Sequence, residues 1–313
     1  MALVAPKFDN LPPYRHRVYG LTIAAWIPFP QLPPAPMDAP VDAVFRLGEV
    51  PAELPEFKTR GARFRAAPGK LLVWIDSVAR YLVVNGREII IQPKPGAEDN
   101  DLRELLLCSP MGALLHQRGV LPLHASVIAT PRGAVAFMAH SGHGKSTLAA
   151  HFHRRGFKIL ADDIAVVSFD GAGRPTVAPG YPQFKLWPDS VTELGHRTTE
   201  LRRFRAKMEK FFLAFADAFH AEPLPLVRLY VVEGRNDATE VKLGPLSVPD
   251  KLRYLLTHTY RAQYVPGLGR EKAHFQTLGR LAAAVPAMRV KRPANGKFHL
   301  AQLADALAAD FAS

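Results

Sequence analysis

The chain has 313 residues, of which 48% are hydrophobic, and 40 Lys and Arg against 28 Asp and Glu give a formal net charge of +12. This length supports one large hydrophobic core or two moderate ones. The single cysteine, Cys108, excludes a disulfide framework, and the leucines beside it predict a buried thiol. No apolar run approaches the roughly 18 residues of a membrane span, and residues 1–17 lack the apolar core of a signal peptide. We therefore expect a cytoplasmic protein.

The positive charge is concentrated in the second part of the chain. Residues 1–120 contain 14 Lys and Arg against 12 Asp and Glu, and residues 121–313 contain the remaining 26 against 16. A field of this sign favours polyphosphate or acidic peptide ligands. The basic residues are scattered and no nucleic-acid motif accompanies them, which makes nucleic acid the weaker interpretation.

Residues 1–118 are predicted to form a mostly β module with no recognisable catalytic motif. Strands are expected at Val18–Ile27, Val41–Leu47, Lys70–Ile75, Arg80–Val84 and Glu88–Ile91. Asn85-Gly86 between the last two predicts a hairpin. A helix is expected from Asp101 to His116. The β runs from Lys70 to Ile91 could offer an exposed edge to an extended peptide, so this module is a candidate for substrate recognition; the alternative is that it only covers apolar surface.

Residues 119–313 are predicted to form an α/β domain that begins with strands and a phosphate-binding loop. The apolar run Val135–Met138 predicts a strand, and the segment from Lys145 to Gly156 has the spacing of a helix. A Gly-rich turn ending in Gly-Lys-Ser between a strand and a helix is typical of a loop whose backbone amides surround phosphate oxygens. The residues expected to bind nucleotide are Ala139, His140, Ser141, Gly142, His143, Gly144, Lys145, Ser146 and Thr147.

Two features of this loop bear on its chemistry. Lys145 is expected to reach the β- and γ-phosphates of ATP, and the hydroxyl of Ser146 is expected to ligate Mg²⁺. The full pattern has Gly where this chain has Ala139. An alanine costs nothing at that position if its φ is negative, whereas only glycine adopts a positive φ freely.

A pair of carboxylates follows the next predicted strand, Lys158–Ala161, as Asp162 and Asp163. A strand beside the loop would return both carboxylates to it, one as a metal ligand and the other as the base that accepts the proton of an attacking hydroxyl. We expect Asp162 at the metal and Asp163 as the base, with the reverse assignment left open. The alternative is that the pair simply ends a strand in a solvated turn.

The segment from Met138 to Asp163 resembles the bacterial HPr serine kinase/phosphorylase family. The shared features are the loop, a helix ending in Arg155-Gly156, and the strand end Ala161-Asp162-Asp163. The family places a histidine on the strand before the loop, and His124 stands at that position. The resemblance implies the C-terminal P-loop kinase fold of that family, with ATP and Mg²⁺ as cofactors and a catalytic set of Asp163, Asp162, Lys145 and an assisting His124.

The family's second signature, a Glu-Ile-Arg-Gly-like run linked to phosphorolysis, is missing here. Residues 179–189, with the sequence Pro-Gly-Tyr-Pro-Gln-Phe-Lys-Leu-Trp-Pro-Asp, stand in its place. This replacement resembles divergent HPr-kinase-like proteins of peptide-biosynthesis clusters, including lasso-peptide tailoring kinases that phosphorylate a precursor Ser. It implies little or no phosphorolysis, and it makes Lys185 a candidate for binding phosphate or peptide.

The rest of the chain carries predicted elements without a motif. Helices are expected at Leu201–His220, Asp250–Tyr260, Phe275–Ala284 and Ala301–Phe311, and strands at Val227–Glu233 and Pro286–Val290. The first of these helices would put five phenylalanines on a broad apolar side. The cations near its start are interpreted as a solvated face: Arg202, Arg203, Arg205 and Lys207.

These patterns favour an ATP- and Mg²⁺-dependent kinase that phosphorylates a hydroxyl, and we expect a Ser of a peptide or protein as the acceptor. Phosphoryl transfer depends mainly on positioning and charge neutralisation, which this set of residues can supply. Three alternatives remain open: a small-molecule kinase of the same fold, a non-enzymatic nucleotide sensor, and a scaffold or RNA-binding protein that carries a phosphate loop. No membrane partner is expected, and a homo-oligomer is compatible with the sequence.

Overall fold

The computed structural model describes residues 11–205, 208–235, 238–293 and 300–312, and the chain divides into two compact units. The first unit contains the chain up to Leu121 together with Arg261–Phe275. The second contains Pro122–Tyr260 and the chain from Gln276 onward. Both α-helices and several β-sheets are present, so the chain is a mixed α/β protein. Residues 1–10 and Lys207, which entered the sequence predictions, lie outside the described residues.

The first unit is built on an eight-stranded sheet with the order β1-β2-β3-β8-β7-β6-β5-β4. Its strands are β1 (Tyr14–Val18), β2 (Leu21–Ala25), β3 (Ala43–Leu47), β4 (Thr59–Gly61), β5 (Phe64–Ala67), β6 (Lys70–Ile75), β7 (Ala79–Val84) and β8 (Glu88–Pro93). The hairpin prediction is confirmed, because β7 and β8 pair antiparallel and both Asn85 and Gly86 have positive φ, as a tight turn of this kind requires.

Four sequence predictions for this unit need correction. The expected Val18–Ile27 strand is instead the second half of a hairpin of β1 and β2. The strands β6 to β8 lie inside the sheet, so they offer no exposed edge to a peptide. The expected single helix is two helices, α1 (Asp99–Leu106) and α2 (Ser109–Gln117), because Pro110 has no N–H for the helical bond and its ring blocks the preceding turn. The thiol of Cys108, at that break, is half-buried rather than buried.

The segment Arg261–Phe275 also differs from the predicted boundary, which placed everything after residue 118 in one domain. Within the first unit, the ring of Tyr264 lies edge-on to Phe64, with 4.8 Å between their centroids. A Cβ at Gly267 would lie 2.5 Å from that of Ala66, so the backbone there approaches β5 too closely for any larger residue. Packing of a late segment against strands from the start of the chain depends on contacts between distant residues, so no local sequence pattern predicts it.

The second unit is built on a nine-stranded sheet. Its main path has the order β12-β10-β11-β18-β14-β13-β9, and β20 pairs with both β18 and β19. The strands are β9 (Leu121–Leu123), β10 (Ala125–Thr130), β11 (Gly133–Met138), β12 (Ile159–Ala161), β13 (Ala165–Phe169), β14 (Pro175–Ala178), β18 (Leu224–Arg235), β19 (Lys242–Pro245) and β20 (Ala287–Pro293). The helices after α2 are α3 (Lys145–Arg154), α4 (Pro188–Glu193), α5 (Val248–Thr257), α6 (Glu271–Ala284) and α7 (Leu300–Ala312).

A separate three-stranded sheet replaces the helix expected at Leu201–His220. Its order is β15-β17-β16, with β15 at Gln183–Leu186, β16 at Arg203–Arg205 and β17 at Met208–Ala214. The aromatic run that suggested an apolar helix face instead pairs with β15, where Phe184 lies opposite Leu213. Aromatic residues favour half-buried strands, and pairing with a distant strand overrides a helical spacing.

The core of the second unit contains a stack of aromatic rings. Phe137 of β11 lies parallel to Phe152 of α3, with 5.4 Å between ring centroids. Tyr230 of β18 also stacks against Phe137, with 5.8 Å between the centroids. All three side chains are fully buried. This packing fixes α3 against the sheet, and it therefore fixes the loop that precedes α3. None of the described helices is both long enough and apolar enough to cross a membrane.

Candidate functional site

The register of the sheet brings three separate segments to one edge. β10 runs antiparallel to β11, so Ala125, which follows His124, lies opposite Met138 at the end of β11. β12 runs antiparallel to β10, and its last residue, Ala161, lies opposite Val127. His124, the 139–144 loop and the carboxylates after β12 are consequently neighbours.

The loop between β11 and α3 has the backbone shape that its glycines allow. Gly142 and Gly144 have φ values of 81° and 85°, a left-handed conformation that costs glycine little and other residues more. The side chains of His140, Ser141 and His143 are exposed, so ligands can reach the loop. The N-terminus of α3 follows directly, where unpaired N–H groups and the helix dipole favour an anion.

Ala139, the departure from the full glycine pattern, causes no strain in this loop. Its φ is not positive, and its side chain is buried in the apolar core around α3. Its carbonyl oxygen accepts a hydrogen bond from the Nζ of Lys145 at 3.1 Å. Ala139 thus holds the lysine through its backbone, which alanine does as well as glycine.

Lys145 and His124 form a direct contact that determines the histidine tautomer. The Nζ of Lys145 lies 3.0 Å from Nε2 of His124, so this ring nitrogen must accept. The other nitrogen, Nδ1, lies 3.0 Å from the backbone oxygen of Asp163 and therefore carries the proton. Burial, and then the charge of Lys145, lowers the pKa of His124. The imidazole is accordingly neutral at physiological pH.

The two carboxylates sit on a tight turn. The N–H of Ile164 donates to the backbone oxygen of Asp162 at 2.9 Å, and Asp163 between them has a φ of 69°. A three-residue turn with positive φ at its centre is rare and strained. The turn explains how adjacent residues, which would point to opposite faces in a strand, both reach the site.

Asp162 is enclosed by the protein. Its Oδ1 accepts a hydrogen bond of 2.6 Å from Ser126, and its Oδ2 accepts one of 3.3 Å from the backbone N–H of Lys185. A side-chain hydrogen bond from Ser146 acts on the same carboxyl group. Burial raises the pKa of Asp162 in spite of these bonds.

Asp163 has the opposite electrostatic balance. Burial disfavours its charge, but Lys185, then His124 and the lysines 210 and 145, outweigh burial and hold the pKa of Asp163 at about 2. The Nζ of Lys185 lies 3.5 Å from Oδ2, and Nδ1 of His124 lies 3.3 Å from Oδ1. The pKa values of two neighbouring carboxyl groups thus shift in opposite directions because their surroundings differ.

A small cleft of about 40 Å³ opens between the loop and these groups. The predicted residues that line it are His124, Ser141, Gly142, Gly144, Lys145, Ser146, Thr147, Asp163 and Lys185. Four further lining residues were not predicted: Leu186, Trp187, Ser190 and Lys210. Leu186 ends β15 and Trp187 follows it, whereas Ser190 lies in α4 and Lys210 in β17. The first two belong to residues 179–189, from which only Lys185 was predicted at the site. Lys210 was missed because its segment was expected to be helical.

A larger cavity of about 550 Å³ lies on another side of the same loop. Gly142, Gly144, Lys145 and Thr147 line both spaces, and His143 lines only the larger one. Arg292 of β20 also lines it and donates to the backbone oxygen of His143 at 3.3 Å. Of the predicted loop residues, Ala139 and His140 line neither space. The ring of His140 lies 5.3 Å from that of His258 instead.

Hard oxygen ligands are available for a divalent cation. Ser146 and Asp162 bring a hydroxyl and a carboxylate together at the start of α3. Within the described residues, no cluster of three or more His, Cys, Asp or Glu side chains could hold a metal ion by itself. Mg²⁺ commonly takes few protein ligands and completes its shell with water and phosphate oxygens, so this pair fits Mg²⁺ better than a metal that needs a closed protein site.

No protein-family model and no curated protein sequence matches the chain. Among solved structures, the chain is similar to the Hpr(Ser) kinase/phosphatase from Coxiella burnetii, with a TM-score of 0.34 and 9% sequence identity. The similarity covers 61% of this chain and 90% of that chain.

Proposed function

We propose that the protein is an ATP- and Mg²⁺-dependent kinase of the P-loop type that phosphorylates a Ser hydroxyl of a peptide or protein. The observation that carries this proposal is the position of Asp163, an ionised carboxylate that faces the same cleft as Lys145 and the start of α3. An anion site beside a proton acceptor is what transfer of a phosphoryl group to a hydroxyl needs.

The phosphates of ATP would bind at the loop. The N–H groups at the start of α3 and the dipole of this helix favour negative charge there. Lys145 now donates to the carbonyl of Ala139 and to His124, and burial lowers its pKa. Phosphate oxygens would supply Lys145 with an anionic partner and would therefore favour its charged form.

The acceptor hydroxyl would approach through the cleft in front of Asp163. Its oxygen attacks the γ-phosphorus, the bond from that phosphorus to the β–γ bridging oxygen breaks, ADP leaves, and the hydroxyl proton passes to Asp163. Such transition states are loose, so the proton moves late and a weakly basic carboxylate is sufficient. Asp162 is less suited to this role, because Ser126 and the backbone of Lys185 occupy its oxygens away from the cleft.

His124 and Lys185 would act on Asp163 rather than on the substrate. The N–H at Nδ1 of His124 and the ammonium of Lys185 approach different oxygens of this carboxylate. Together they hold the carboxylate in the ionised state and in one orientation. Ser146 and Asp162 would hold Mg²⁺, which when bound neutralises phosphate charge.

The nucleoside would occupy the larger cavity. Its volume, about 550 Å³, lies within the range of about 300–1,000 Å³ found for small-molecule sites. Five residues line both this cavity and the cleft, four at the loop and start of α3 and Ser190 of α4, so a single ligand can extend from one to the other. The side chains of Val232, Leu300 and Leu303 give it an apolar part.

The direct experiment is incubation of the full chain with ATP, Mg²⁺ and a library of Ser-containing peptides, with mass spectrometry of the products. We expect a peptide that gains one phosphoryl group in proportion to the ADP formed. Candidate precursor peptides encoded near the gene belong in the library. Nucleotide binding without any phosphorylated product would favour the sensor, and phosphorylation of small hydroxyl compounds alone would favour the small-molecule kinase.

A further inference from the structure

The three-stranded sheet presents a basic face beside the cleft. Residues 208, 210 and 212 alternate along β17, and Lys185 of β15 lies directly opposite Phe212, so these side chains share one face. Phe204 of β16 packs edge-on to Phe212 on this face, with 5.6 Å between their centroids. We use the term basic face for the surface of Arg202, Lys210, Trp187 and Met208 together with the buried Lys185, which reaches the cleft from this face.

Aromatic rings hold the cations of the basic face in place. The guanidinium of Arg202 lies 4.5 Å from the centroid of Phe212. The ammonium of Lys210 lies 5.0 Å from Trp187, and that of Lys185 lies 5.1 Å from Phe204. Cation–π contacts orient a positive charge without neutralising it, so the face retains its attraction for anions.

Carboxylates among the described residues do not pair with every cation of the basic face. Lys185 is paired with Asp163, but no ion pair of Lys210 with a carboxylate exists among the described residues. Instead, the charge of Lys210 acts at long range on Asp163 and on Lys145. The charge of Lys210 therefore lies at the cleft where the acceptor hydroxyl would be activated.

Two apolar side chains on this face are exposed as well. Trp187 is 42% exposed and lines the cleft, and Met208 is 37% exposed. Exposed tryptophan beside cations is typical of binding hot spots rather than of inert surface. These side chains would contact an apolar residue of a ligand whose neighbouring residues are acidic.

We propose that the basic face is the acceptor-docking surface of this protein, and that the acceptor is a peptide segment with acidic residues close to the target Ser. The inference rests on the proposed kinase function and adds to it the class of acceptor and the place where it binds. It also replaces the interpretation of Arg202 as part of a solvated helix face, because Arg202 stacks on a sheet that leads into the cleft.

The test is binding of fluorescent peptides, measured by anisotropy on the full chain with a non-hydrolysable ATP analogue and Mg²⁺. The probes are a short peptide with one Ser flanked by Glu, its counterpart flanked by Gln, its counterpart flanked by Lys, and a single-stranded oligonucleotide of similar charge. We expect the Glu peptide to bind about tenfold or more tightly than the Gln peptide, with affinity that falls as salt is raised.

Variants separate the basic face from general charge. Arg202→Gln is expected to reduce the affinity for the Glu peptide about three- to fivefold, and Trp187→Ala is expected to reduce it about tenfold. Arg202→Lys should restore part of the loss, because the charge returns without the planar stacking. Arg132→Gln removes an equal charge from an exposed turn and should leave binding unchanged. Equal losses in Arg132→Gln and Arg202→Gln would overturn the proposal.

The outcomes also distinguish failure of the docking inference from failure of the kinase proposal. If the protein binds nucleotide but does not prefer the Glu peptide, only the docking inference is overturned. Tighter binding of the oligonucleotide than of any peptide also overturns it and assigns the face to nucleic acid. If neither ATP nor its analogue binds, the kinase proposal is overturned, and the peptide measurements without nucleotide still decide what the basic face binds.

Discussion

Nε2 of His124 lies 3.0 Å from Nζ of Lys145, while Nδ1 of the same ring lies 3.0 Å from the backbone oxygen of Asp163. A single imidazole thus connects the residue proposed to hold phosphate with the residue proposed to take the proton. Because Lys145 can only donate, the ring must be neutral with its proton on Nδ1. A substitution of Lys145 should therefore change the electrostatic environment of Asp163, and a substitution of Asp163 should change that of Lys145.

The Lys145→Met variant is expected to bind ATP about tenfold to a hundredfold more weakly, because a charge-assisted hydrogen bond to phosphate is lost. It should also raise the pKa of His124, since the cation beside Nε2 is removed. Calorimetry measures the affinity, and NMR titration of the histidine measures the pKa. Lys158→Met, at an exposed position, is the matched control. Unchanged ATP affinity in Lys145→Met would contradict the phosphate role of the loop.

The Asp162→Asn and Asp163→Asn variants are expected to differ in kind. Both should lose turnover by a factor of about a hundred or more. Only Asp162→Asn should also weaken the Mg²⁺ dependence of nucleotide binding, because Asp163 faces the cleft while Asp162 is bonded beside Ser146. Steady-state kinetics and calorimetry with and without Mg²⁺ separate the two effects. Asp217→Asn, an exposed site, is the control. Normal turnover in both variants would mean that the pair is structural.

His258 is expected to make the protein less stable as the pH falls from about 6.5 to 4. Burial, and then the charges of His140, Lys145 and His124, lower the pKa of His258 to about 4. Since the unfolded chain binds this proton more readily, the stabilisation is complete above pH 6.5 and is lost as the pH falls through 4. It amounts to about 3 kcal/mol.

Urea unfolding at several pH values tests this expectation with the His258→Gln variant, which lacks the titrating group. The difference in unfolding free energy between wild type and variant should shrink between pH 7 and pH 4. His196→Gln, on an exposed histidine, is the control. A difference that stays constant over this range would show that His258 is not buried in its neutral form.

Phe152→Ala is expected to reduce the free energy of unfolding by about 3–5 kcal/mol, because it removes a fully buried ring from the stack with Phe137. It should also weaken nucleotide binding, since this packing fixes α3 and the loop before it. In Phe152→Leu the leucine side chain fills more of the space left by the ring than alanine does, so the loss of unfolding free energy should be smaller. Chemical denaturation measures both variants. The exposed Phe275→Ala is the control, and a similar small loss in all three would contradict this role of the ring stack.

The elements around the loop could be predicted from the sequence because their signals are local. The run Val135–Met138 matches a buried strand, and Gly142 and Gly144 take the positive φ for which glycine is suited. Asn85-Gly86 likewise marks its own turn. In each case the residues that carry the pattern also adopt the conformation, so no distant partner is needed.

The segment from Leu201 to His220 could not be predicted in this way. Its phenylalanines are compatible both with an apolar helix face and with a half-buried strand. The segment forms a strand because it pairs with β15, which is distant in the sequence. The same cause hid Lys210 from the predicted site. The place of Arg261–Phe275 in the first unit was hidden for the same reason.

By itself, the sequence determined the types of side chain at the site and the local shapes of the loop and turns, because glycine φ, helix spacing and strand composition act over a few residues. The tertiary structure alone decided which carboxylate faces the cleft and which lies behind it. Asp162 and Asp163 are the same amino acid in adjacent positions. Their pKa values move in opposite directions because one is enclosed beside Ser126, whereas Lys185 and His124 converge on the other through the register of separate strands.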